Sequence, residues 1–434
     1  MKAVEGWKTK QLRELADIRV SSVDKKFSNR EKPVKLCNYM DVYTNQYVSD
    51  KIQFMEASAT ATELERFGLN KGDVIITKDS ETPDDIGIPA VIVEQIDNLV
   101  CGYHLALIRP NPEQVDSIYL AKQLSTARVA RFFALHASGS TRYGLPVSTI
   151  ETVEIPTPPK PEQTKIAEIL STVDRAIEQT EALIAKQQRI KTGLMQDLLT
   201  RGIDEHGNLR SEQTHKFKDS PLGRIPVEWE MKRVGDVFEI QLGKMLSQKA
   251  TEGYSPFFYL GNKNVQWDRV DISGLQLMDF NERERRKFDL KSGDILVCEG
   301  GEVGRTAIWR GEVGNCYYQK AIHRLRPIDQ QYLPSLFPRF MKWCIRMGVL
   351  SDYTSQTSIA HLTQEKLVAV PIVVPSKPEQ RNLNTLFDQF DNDLGNQSAR
   401  LAKLRSLKTA IMQDLLTGKK RVTDLLDDTE VTVL

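Results

Sequence analysis

Cysteine and long apolar segments are scarce in this sequence of 434 residues. No apolar run approaches the roughly 20 residues that a membrane-spanning helix needs, and the first residues lack the apolar core of a signal peptide. We therefore expect a cytoplasmic protein without membrane contact. The five cysteines form no C-x-x-C pair and lie near no histidine cluster, which predicts buried reduced thiols and no metal site. They are Cys37, Cys101, Cys298, Cys316 and Cys344.

An excess of charge of one sign is also missing. The 59 lysines and arginines nearly balance the 58 aspartates and glutamates, which gives a formal net charge of +1. A protein with this balance has no basic field over its whole surface. Any surface that binds nucleic acid must therefore be local or be completed by a partner.

The sequence motifs of the common enzyme classes are absent as well. There is no Walker A loop, dinucleotide-binding glycine motif, H-E-x-x-H or Gly-x-Ser-x-Gly. Glycine-rich residues 299–305 follow a predicted strand, but neither a Lys-Ser pair nor a helical pattern follows them, so a β-turn explains them better than a phosphate site. Asp84 and Asp85 lie in a loop with proline and glycine, which is typical of a turn rather than of metal ligands. The alternating charges of residues 282–287 favour a solvated helix face over contact with phosphate.

What the sequence does contain is an internal repeat with a constant offset. Lys-Pro-Glu-Gln occurs at 160–163 and again at 377–380, and Met-Gln-Asp-Leu-Leu-Thr occurs at 195–200 and again at 412–417. Each pair of motifs encloses one continuous helical pattern. A repeat of this length sets the architecture of the chain before any single residue is considered.

Both enclosed patterns are those of a coiled coil. Apolar residues follow alternating three- and four-residue steps, with Lys191 at one core position of the first helix and Lys408 at the equivalent position of the second. A proline in each first turn and Gly202 and Gly418 after the last turns mark the helix ends.

The helices therefore cover residues 159–202 and 376–418 in our assignment. Their equal lengths favour packing on each other, and the internal symmetry favours an antiparallel pair, although the linker at 203–226 is long enough for a parallel one. Paired over about 35 residues, they would form a rod roughly 50 Å long.

Each helix is preceded by a segment of different character. In residues 1–158 and 227–375, short β-rich runs alternate with turns and amphipathic helical stretches, which predicts two globular α+β domains. Residues 419–434 form a short tail. The two domains share a few landmarks and diverge between them, which indicates one fold with two different surfaces. These landmarks are Trp7 with Trp229, Gly72-Asp73 with Gly293-Asp294, and Arg109-Pro110 with Arg326-Pro327.

Polar loops of the two domains are the candidates for contact with nucleic acid. Ser138, Ser140, Thr141, Arg142 and Tyr143 in the first domain, and Ser355, Gln356, Thr357 and Ser358 in the second, precede the long helices at equivalent places. Their hydroxyl, guanidinium and amide groups suit base edges and phosphates. Weaker candidates follow predicted strands: they are Lys78, Ser80, Gln319, Lys320 and His323.

The ends of the two helices carry more apolar surface than one helix pair requires. We expect this surface to dock the opposite domain or a partner subunit. The residues concerned are Met195, Leu198, Leu199, Met412, Leu415 and Leu416.

These motifs together resemble the specificity subunit of a type I restriction-modification system. The resemblance covers nearly the whole chain and rests on paired helix entries, paired hexapeptide exits, a closing segment and two domain openings. They are Pro159 to Gln163, Pro375 to Gln380, Met195 to Thr200, Met412 to Thr417, Leu416 to Val422, Gly6-Trp7 and Ile225 to Trp229.

The resemblance implies two target-recognition domains on double-stranded DNA, each followed by a spacer helix, and no catalysis in this subunit. It also implies two methylation subunits that carry S-adenosylmethionine and restriction subunits that use ATP and Mg²⁺. The leading hypothesis is thus a non-catalytic subunit that recognises a bipartite, asymmetric DNA site. A coiled-coil scaffold for other proteins, without DNA specificity, is the alternative that the near-neutral charge supports.

Overall fold

The computed structural model describes residues 4–247, 250, 255–354 and 360–427. The chain divides into two compact units, residues 1–181 with 399–434 and residues 182–398. Each unit contains one globular domain and segments of both long helices. Among the described residues, no helix is long and apolar enough to cross a membrane.

The first domain is built on a five-stranded sheet and a smaller three-stranded one. Its strands are β1 (Lys8–Gln11), β2 (Ala16–Val20), β3 (Lys32–Cys37), β4 (Tyr47–Val48), β5 (Met55–Ala59), β6 (Val74–Thr77), β7 (Asp79–Ser80), β8 (Pro89–Ile92), β9 (Leu99–Cys101), β10 (Leu105–Pro110), β11 (Tyr143–Gly144) and β12 (Glu154–Thr157). Its helices are α1 (Leu12–Leu15), α2 (Tyr39–Tyr43), α3 (Ala61–Phe67), α4 (Ser117–Leu124), α5 (Ala127–His136) and α6 (Val147–Thr152), and the first long helix, α7 (Lys160–Thr200), follows. The strand orders are β2-β10-β6-β8-β4 and β5-β3-β9, and β1 pairs with β12 and β7 with β11.

The five-stranded sheet has a hydrophobic core on each face. Successive side chains of a strand point to opposite faces, and β6 follows this rule: Val74 and Ile76 belong to one core cluster, whereas Ile75 belongs to the other. The first cluster includes helices α4 to α6, and the second includes the three-stranded sheet. Burial on both faces explains why the strand sequence is continuously apolar.

The second domain repeats most of this topology, with four described strands in its main sheet. Its strands, with the hairpin that precedes them, are β13 (Phe217–Lys218), β14 (Ile225–Pro226), β15 (Glu230–Arg233), β16 (Phe238–Leu242), β17 (Pro256–Leu260), β18 (Val265–Gln266), β19 (Arg269–Val270), β20 (Gln276–Asp279), β21 (Ile295–Cys298), β22 (Thr306–Ile308), β23 (Tyr317–Tyr318), β24 (Ile322–Pro327) and β25 (Pro371–Val374). Its helices are α8 (Val234–Val237), α9 (Glu282–Lys287), α10 (Phe337–Arg346) and α11 (Gln364–Ala369), followed by the second long helix, α12 (Lys377–Leu416), and by α13 (Asp424–Asp427). The orders β16-β24-β21-β22, β20-β17-β23 and β15-β25 match those of the first domain, except that no described strand of the second domain corresponds to the edge strand β4. The α+β fold class and the internal repeat expected from the sequence are confirmed.

The shared Gly-Asp and Arg-Pro landmarks form one ion pair in each domain. Arg109 donates from Nε and Nη2 to the two carboxylate oxygens of Asp73 at 2.9 and 2.7 Å, and Arg326 does the same to Asp294 at 2.6 and 2.8 Å. Both aspartate side chains are only 3% exposed. Such two-point, charge-assisted bonds fix the geometry of the pairing, so the landmarks are part of the framework and not of a variable surface.

The long helices run antiparallel in each unit. In the first unit, Lys408 binds Asp174 at 2.6 Å and Arg405 binds Glu181 at 2.7 Å, so the residue number falls on one helix as it rises on the other. In the second unit, Lys191 forms an ion pair with Asp391. Farther along, the backbone N–H of Ile203, after α7, donates to Glu379 in the first turn of α12, so the two helices again run in opposite directions.

The two lysines at core positions of the heptad pattern are thus explained. Lys191 and Lys408 each form an ion pair with an aspartate of the other helix, and the two pairs are equivalent under the internal repeat. A polar residue at a core position fixes the register of a coiled coil, because it must lie opposite the residue with which it pairs.

Asp174 makes the first unit sensitive to acid. Its carboxylate is 9% exposed and accepts hydrogen bonds from Lys122 at 2.5 Å, Lys408 at 2.6 Å and Tyr47 at 2.7 Å. Burial acts to raise the pKa of Asp174, but the two lysines and the tyrosine outweigh burial and hold it below its ordinary value. A lowered pKa stabilises the fold above the pKa of the unfolded chain, and this stability is lost as pH falls through the folded pKa.

We expect Asp174→Asn to lower the free energy of unfolding of the first unit at pH 7 by about 1 to 3 kcal/mol, because Lys122 and Lys408 lose their charged partner. The difference between the wild type and this variant should shrink below about pH 4, because there Asp174 takes up a proton in the unfolded wild-type chain, whereas its lowered pKa keeps it ionised in the folded state until the pH falls further. Hydrogen exchange of first-unit peptides from pH 3 to pH 7 measures this, with the exposed Glu178→Gln on the same helix as the control. A difference that stays constant down to pH 3 would contradict the assignment.

The segments that we expected as a linker and a tail are packed. Ile203, Leu222 and Ile225 from the linker are buried in the core of the second unit. Val422 from the tail is buried in the core of the first unit. Both segments therefore contribute to the framework described next.

Candidate nucleic-acid interface

Glu162, from the first Pro-Glu-Gln motif, binds one residue near the start of the first domain and one residue after the second long helix. Glu162 is 1% exposed, and its carboxylate accepts hydrogen bonds from Trp7 Nε1 at 3.2 Å and from Arg421 Nε and Nη2 at 2.6 and 2.8 Å. Trp7 begins the first domain, Glu162 lies in the first turn of α7, and Arg421 follows the end of α12. One carboxylate thus ties a domain to its own helix and to the end of the other helix.

The second motif builds the same cluster in the second unit. Glu379 accepts from Trp229 Nε1 at 3.0 Å, from Arg210 at 2.5 and 3.2 Å, and from the backbone N–H of Ile203 at 3.0 Å. Gly202 has a φ of +63°, and a Cβ there would lie 2.2 Å from the Glu379 carboxylate and 2.3 Å from the Trp229 ring. The glycine is required both for its left-handed conformation and for this close approach.

The Gln of each motif completes the attachment of a domain to its helix. Gln163 Oε1 accepts from the backbone N–H of Asp116 at 2.9 Å, and its Nε2 donates to the carbonyl of Pro158 at 2.9 Å. Gln380 repeats both bonds, from Leu333 N–H at 2.7 Å and to the carbonyl oxygen of Pro375 at 2.8 Å. The motif that marked the helix starts is therefore a buried polar joint. We did not assign it a role from sequence, although the pairing of a repeated Glu with repeated Trp landmarks could have suggested one.

The leucines of the repeated hexapeptide are buried inside the chain. Leu198 and Leu199 are 4% and 5% exposed in the core of the second unit, and Leu415 and Leu416 are 8% and 2% exposed in the core of the first. The prediction that they bind a partner subunit is corrected, because apolar surface already covered by a domain is not available to another protein. The end of each long helix instead packs on the domain that precedes the other long helix.

The methionines that begin the hexapeptides differ from the leucines. Met195 and Met412 are only partly buried and lie at the border of the same two core clusters.

The structure brings together two groups of candidate residues in the first domain. Strand β7 pairs with β11, with Ser80 opposite Tyr143, and this pairing places residues 78–80 beside the loop 138–143. Ser138, Ser140, Thr141 and Arg142 are exposed in that loop, whereas Ser80 is 9% exposed. Residues that are about 60 positions apart in the chain thus form one polar surface, and β-sheet geometry is the reason.

This surface borders a cleft of about 490 Å³, which we call the domain 1 cleft. A volume of this size is typical of a ligand site. Among its lining residues are Tyr39, Tyr43, Asp79, Glu81, His104 and Arg142. Arg142 and Ser80, which also lines the cleft, are the two that belong to our sequence-based candidates.

Charges in the cleft are partly neutralised. Asp79 accepts from Lys78 Nζ at 2.6 Å and lies 2.7 Å from His104 Nδ1, so Lys78 is occupied by a neighbouring carboxylate. Among the described residues, Arg142 has no ion pair or side-chain hydrogen bond. Lys25, which also lines the cleft, is exposed and likewise has no ion pair within the described part of the chain, so Arg142 and Lys25 are the cations of this surface that are available to a ligand.

Aromatic residues of the cleft were missed from sequence. The rings of Tyr39 and Tyr43 stack with centroids 5.4 Å apart, and Tyr103 packs on His104 with ring centroids 3.7 Å apart. Met40 beside them is 56% exposed. An exposed cluster of tyrosines and methionine is unusual on a solvated loop and common at recognition surfaces. The clustering of Tyr39, Met40 and Tyr43 was the available signal in the sequence.

The second domain offers fewer of the predicted residues. Gln319 and Lys320 connect β23 to β24, where Lys320 is exposed and Gln319 half-buried. His323 lies on the central strand β24, is fully buried, and its Nε2 is 2.8 Å from the carbonyl oxygen of Leu362. Burial lowers the pKa of the His323 imidazole. We correct its assignment to DNA contact, because the side chain belongs to the core.

The remaining positions singled out in the sequence are as follows. Ser355, Gln356, Thr357 and Ser358 lie outside the described residues. Glycine-rich residues 299–305 connect the antiparallel strands β21 and β22, and Asp84 and Asp85 lie in a short 3-10 turn. Within the part of the chain that the structure describes, no three His, Cys, Asp or Glu side chains form a possible metal site.

Fold and surfaces together define an internally duplicated two-domain protein, in which the framework is repeated and the exposed polar surfaces are not. Comparison with known families agrees with this class. A family model described as type I restriction modification DNA specificity domain matches residues 4–187 and 226–405. The chain belongs to this family of type I restriction-modification specificity subunits.

Individual relatives show the same similarity over nearly full length. The type I restriction enzyme MjaVIII specificity subunit of Methanocaldococcus jannaschii is 25% identical over 405 residues, which cover 90% of this chain and 88% of the relative. The crystal structure of a type I restriction-modification system S subunit from M. genitalium has a TM-score of 0.56 at 17% identity, covering 96% of this chain and 97% of the other. A structure described for complex assembly and conformational transition of the type I R-M system has a TM-score of 0.57 at 17% identity and covers 96% and 99% of the two chains. The two solved structures support the fold.

Proposed function

We propose that this chain recognises a bipartite, asymmetric site in double-stranded DNA, one half-site through each globular domain. The observation that carries the proposal is the contrast between the two domains. Their buried joints, Trp7–Glu162–Arg421 and Trp229–Glu379–Arg210, are equivalent, whereas the exposed residues near the strand ends differ. A repeated framework with two unlike surfaces is suited to two unlike half-sites.

The chemistry of the first domain supports contact with DNA. Arg142 and the hydroxyls of the 138–143 loop are exposed donors and acceptors of the kind that bind base edges and phosphates. A net charge of +1 supplies little general attraction to a phosphate backbone. We therefore propose that partner subunits complete the DNA-binding surface.

Partners in this proposal are two methylation subunits and the restriction subunits of the same system. S-adenosylmethionine, ATP and Mg²⁺ would be bound by those subunits, and this chain would contribute no catalytic group.

Partner subunits would dock on exposed positions of the long helices, because the hexapeptide leucines are buried. Ile190 and Leu407 are 44% and 46% exposed, and they are equivalent under the internal repeat. Two equivalent apolar positions would suit two copies of one partner.

Replacing one domain is the direct test of a bipartite site. We expect that substituting residues 1–158 by the corresponding domain of another family member changes one half-site completely. The other half-site should stay unchanged, and so should the unread spacer, by which we mean the base pairs between the half-sites that neither domain recognises. Mapping the methylated bases in DNA that was exposed to the assembled methylation complex gives both half-site sequences and the length of the spacer.

The matched control is the replacement of residues 227–375, which should change only the other half-site. A change in both half-sites after either replacement would refute independent recognition. Assembly of the complex without any sequence-specific methylation would favour the scaffold alternative.

A further inference from the structure

The domain 1 cleft contains three carboxylates, and two of them have partners. Asp79 is held between Lys78 and His104, and Asp85 accepts a hydrogen bond from the Tyr43 hydroxyl at 2.9 Å. Glu81 is exposed and lines the cleft, and it has no hydrogen bond or ion pair among the described residues. On the surface that we propose to face DNA, an unpaired carboxylate repels phosphate and can be satisfied by a donor such as the amino group of a base.

Arg142 also lines the cleft, and its guanidinium needs acceptors, whereas Glu81 needs a donor. Its planar guanidinium offers two parallel donors and is likewise unpaired among the described residues. Besides the exposed ammonium group of Lys25, the cleft therefore offers one planar pair of donors on Arg142 and one strong acceptor on Glu81 that no described residue satisfies.

This combination matches the edge of one base pair. In the major groove, guanine offers two acceptors, N7 and O6, and the cytosine paired with it offers the N4 amino donor. Arginine bound to guanine and a carboxylate bound to cytosine are the side-chain contacts that fit these groups. In an A·T pair the amino donor lies between the two acceptors, adenine N7 and thymine O4, so no single base offers two adjacent acceptors to the guanidinium, and a phosphate offers no donor to the carboxylate.

We propose that Arg142 and Glu81 together recognise one G·C pair in the half-site of the first domain. Arg142 would donate to N7 and O6 of guanine, and Glu81 would accept from N4 of cytosine. This inference rests on the proposed function, because it specifies what the first domain recognises in DNA.

The second domain provides an internal contrast. Glu302 follows β21, the strand that corresponds to β6, at the same distance in sequence as Glu81 follows β6. Its carboxylate accepts from Trp267 Nε1 at 2.5 Å and from Arg305 at 3.3 Å. Because that glutamate is already occupied, we assign the G·C contact to the first domain alone.

The test compares binding by the assembled complex to its own site and to sites in which each base pair is changed in turn. Arg142→Ala and Glu81→Ala should each weaken binding to the intact site by about 5- to 150-fold. Both should lose discrimination at the same single G·C pair and keep it elsewhere. The exposed Arg131→Ala and Glu65→Ala are matched controls and should leave binding and discrimination unchanged.

A base analogue separates the two contacts. Replacing the guanine by 7-deazaguanine removes N7, so it should weaken binding of the wild type and of Glu81→Ala, but cause little further loss in Arg142→Ala. If the wild type is specific but neither variant relaxes a G·C pair, this inference is wrong and the proposed function stands. If the wild-type complex shows no sequence preference, the proposed function itself fails, and the inference with it.

Discussion

Replacing Glu379 by methionine is expected to lower the free energy of unfolding of the second unit by about 3 to 5 kcal/mol. The substitution leaves Arg210, whose side chain is 11% exposed, without its carboxylate, and it also removes the acceptor of the Trp229 indole N–H. A buried charge that loses its partner costs far more than the pair contributes when it is intact. Methionine preserves the volume and the helix propensity, so the loss reports on the polar joint.

The equivalent substitution in the first unit is the internal comparison. Glu162→Met should cost less than Glu379→Met, because the Arg421 side chain is 30% exposed and can be solvated after its partner is lost. Hydrogen exchange of peptides from each unit in the full chain measures the two effects separately, and the exposed Glu365→Gln serves as the control. Equal losses in the two units, or a loss for Glu379→Met no larger than for the control, would refute the role of burial.

Insertion of one heptad into each long helix is expected to change the length of the unread spacer and to leave both half-sites unchanged. The insertion points are after Glu181 and after Ser398, where the two compact units meet along the sequence. Seven residues lengthen each helix by about 10 Å and preserve the heptad pattern. The ion pairs Lys408–Asp174 and Lys191–Asp391 each lie within one unit and should be retained.

Methylation mapping of the assembled complex detects the change in spacer. The control is the same seven residues inserted in the exposed turn at Gly207, which should leave the spacer as it is. An insertion in only one helix should instead disturb the ion-pair register and reduce assembly. A spacer that stays constant after the paired insertion would show that the helices do not set it.

The long helices were the part of the structure that the sequence predicted best. Heptad spacing, a proline in the first turn and a glycine after the last turn are local signals, and each acts within a few residues. The repeat then implied a second helix of the same kind, and α7 and α12 span 41 and 40 residues. Antiparallel packing in each unit required the structure, because the linker length allowed either direction.

The candidate surface was predicted only in part. The 138–143 loop stood out by composition, but its proximity to Lys78 and Ser80 depends on the pairing of β7 with β11. His323 looked available in the sequence and is fully buried, because a histidine on a central strand carries no local sign of its depth. Tyr39 and Tyr43 belong to a segment far from the loop in sequence and join it only in the folded domain.

By itself, the sequence determined the duplication, the two helices and their caps, and the family to which the chain belongs. These properties follow from periodicity and repeated motifs, which are readable along the chain. The tertiary structure decided what the repeated residues do: the Pro-Glu-Gln carboxylates became buried joints, and the hexapeptide leucines became core. It also decided which charges remain free, since Glu81 and Glu302 are equivalent in sequence and only the second has partners among the described residues. The physical reason is that burial and pairing depend on neighbours that are distant in sequence, whereas helix periodicity does not.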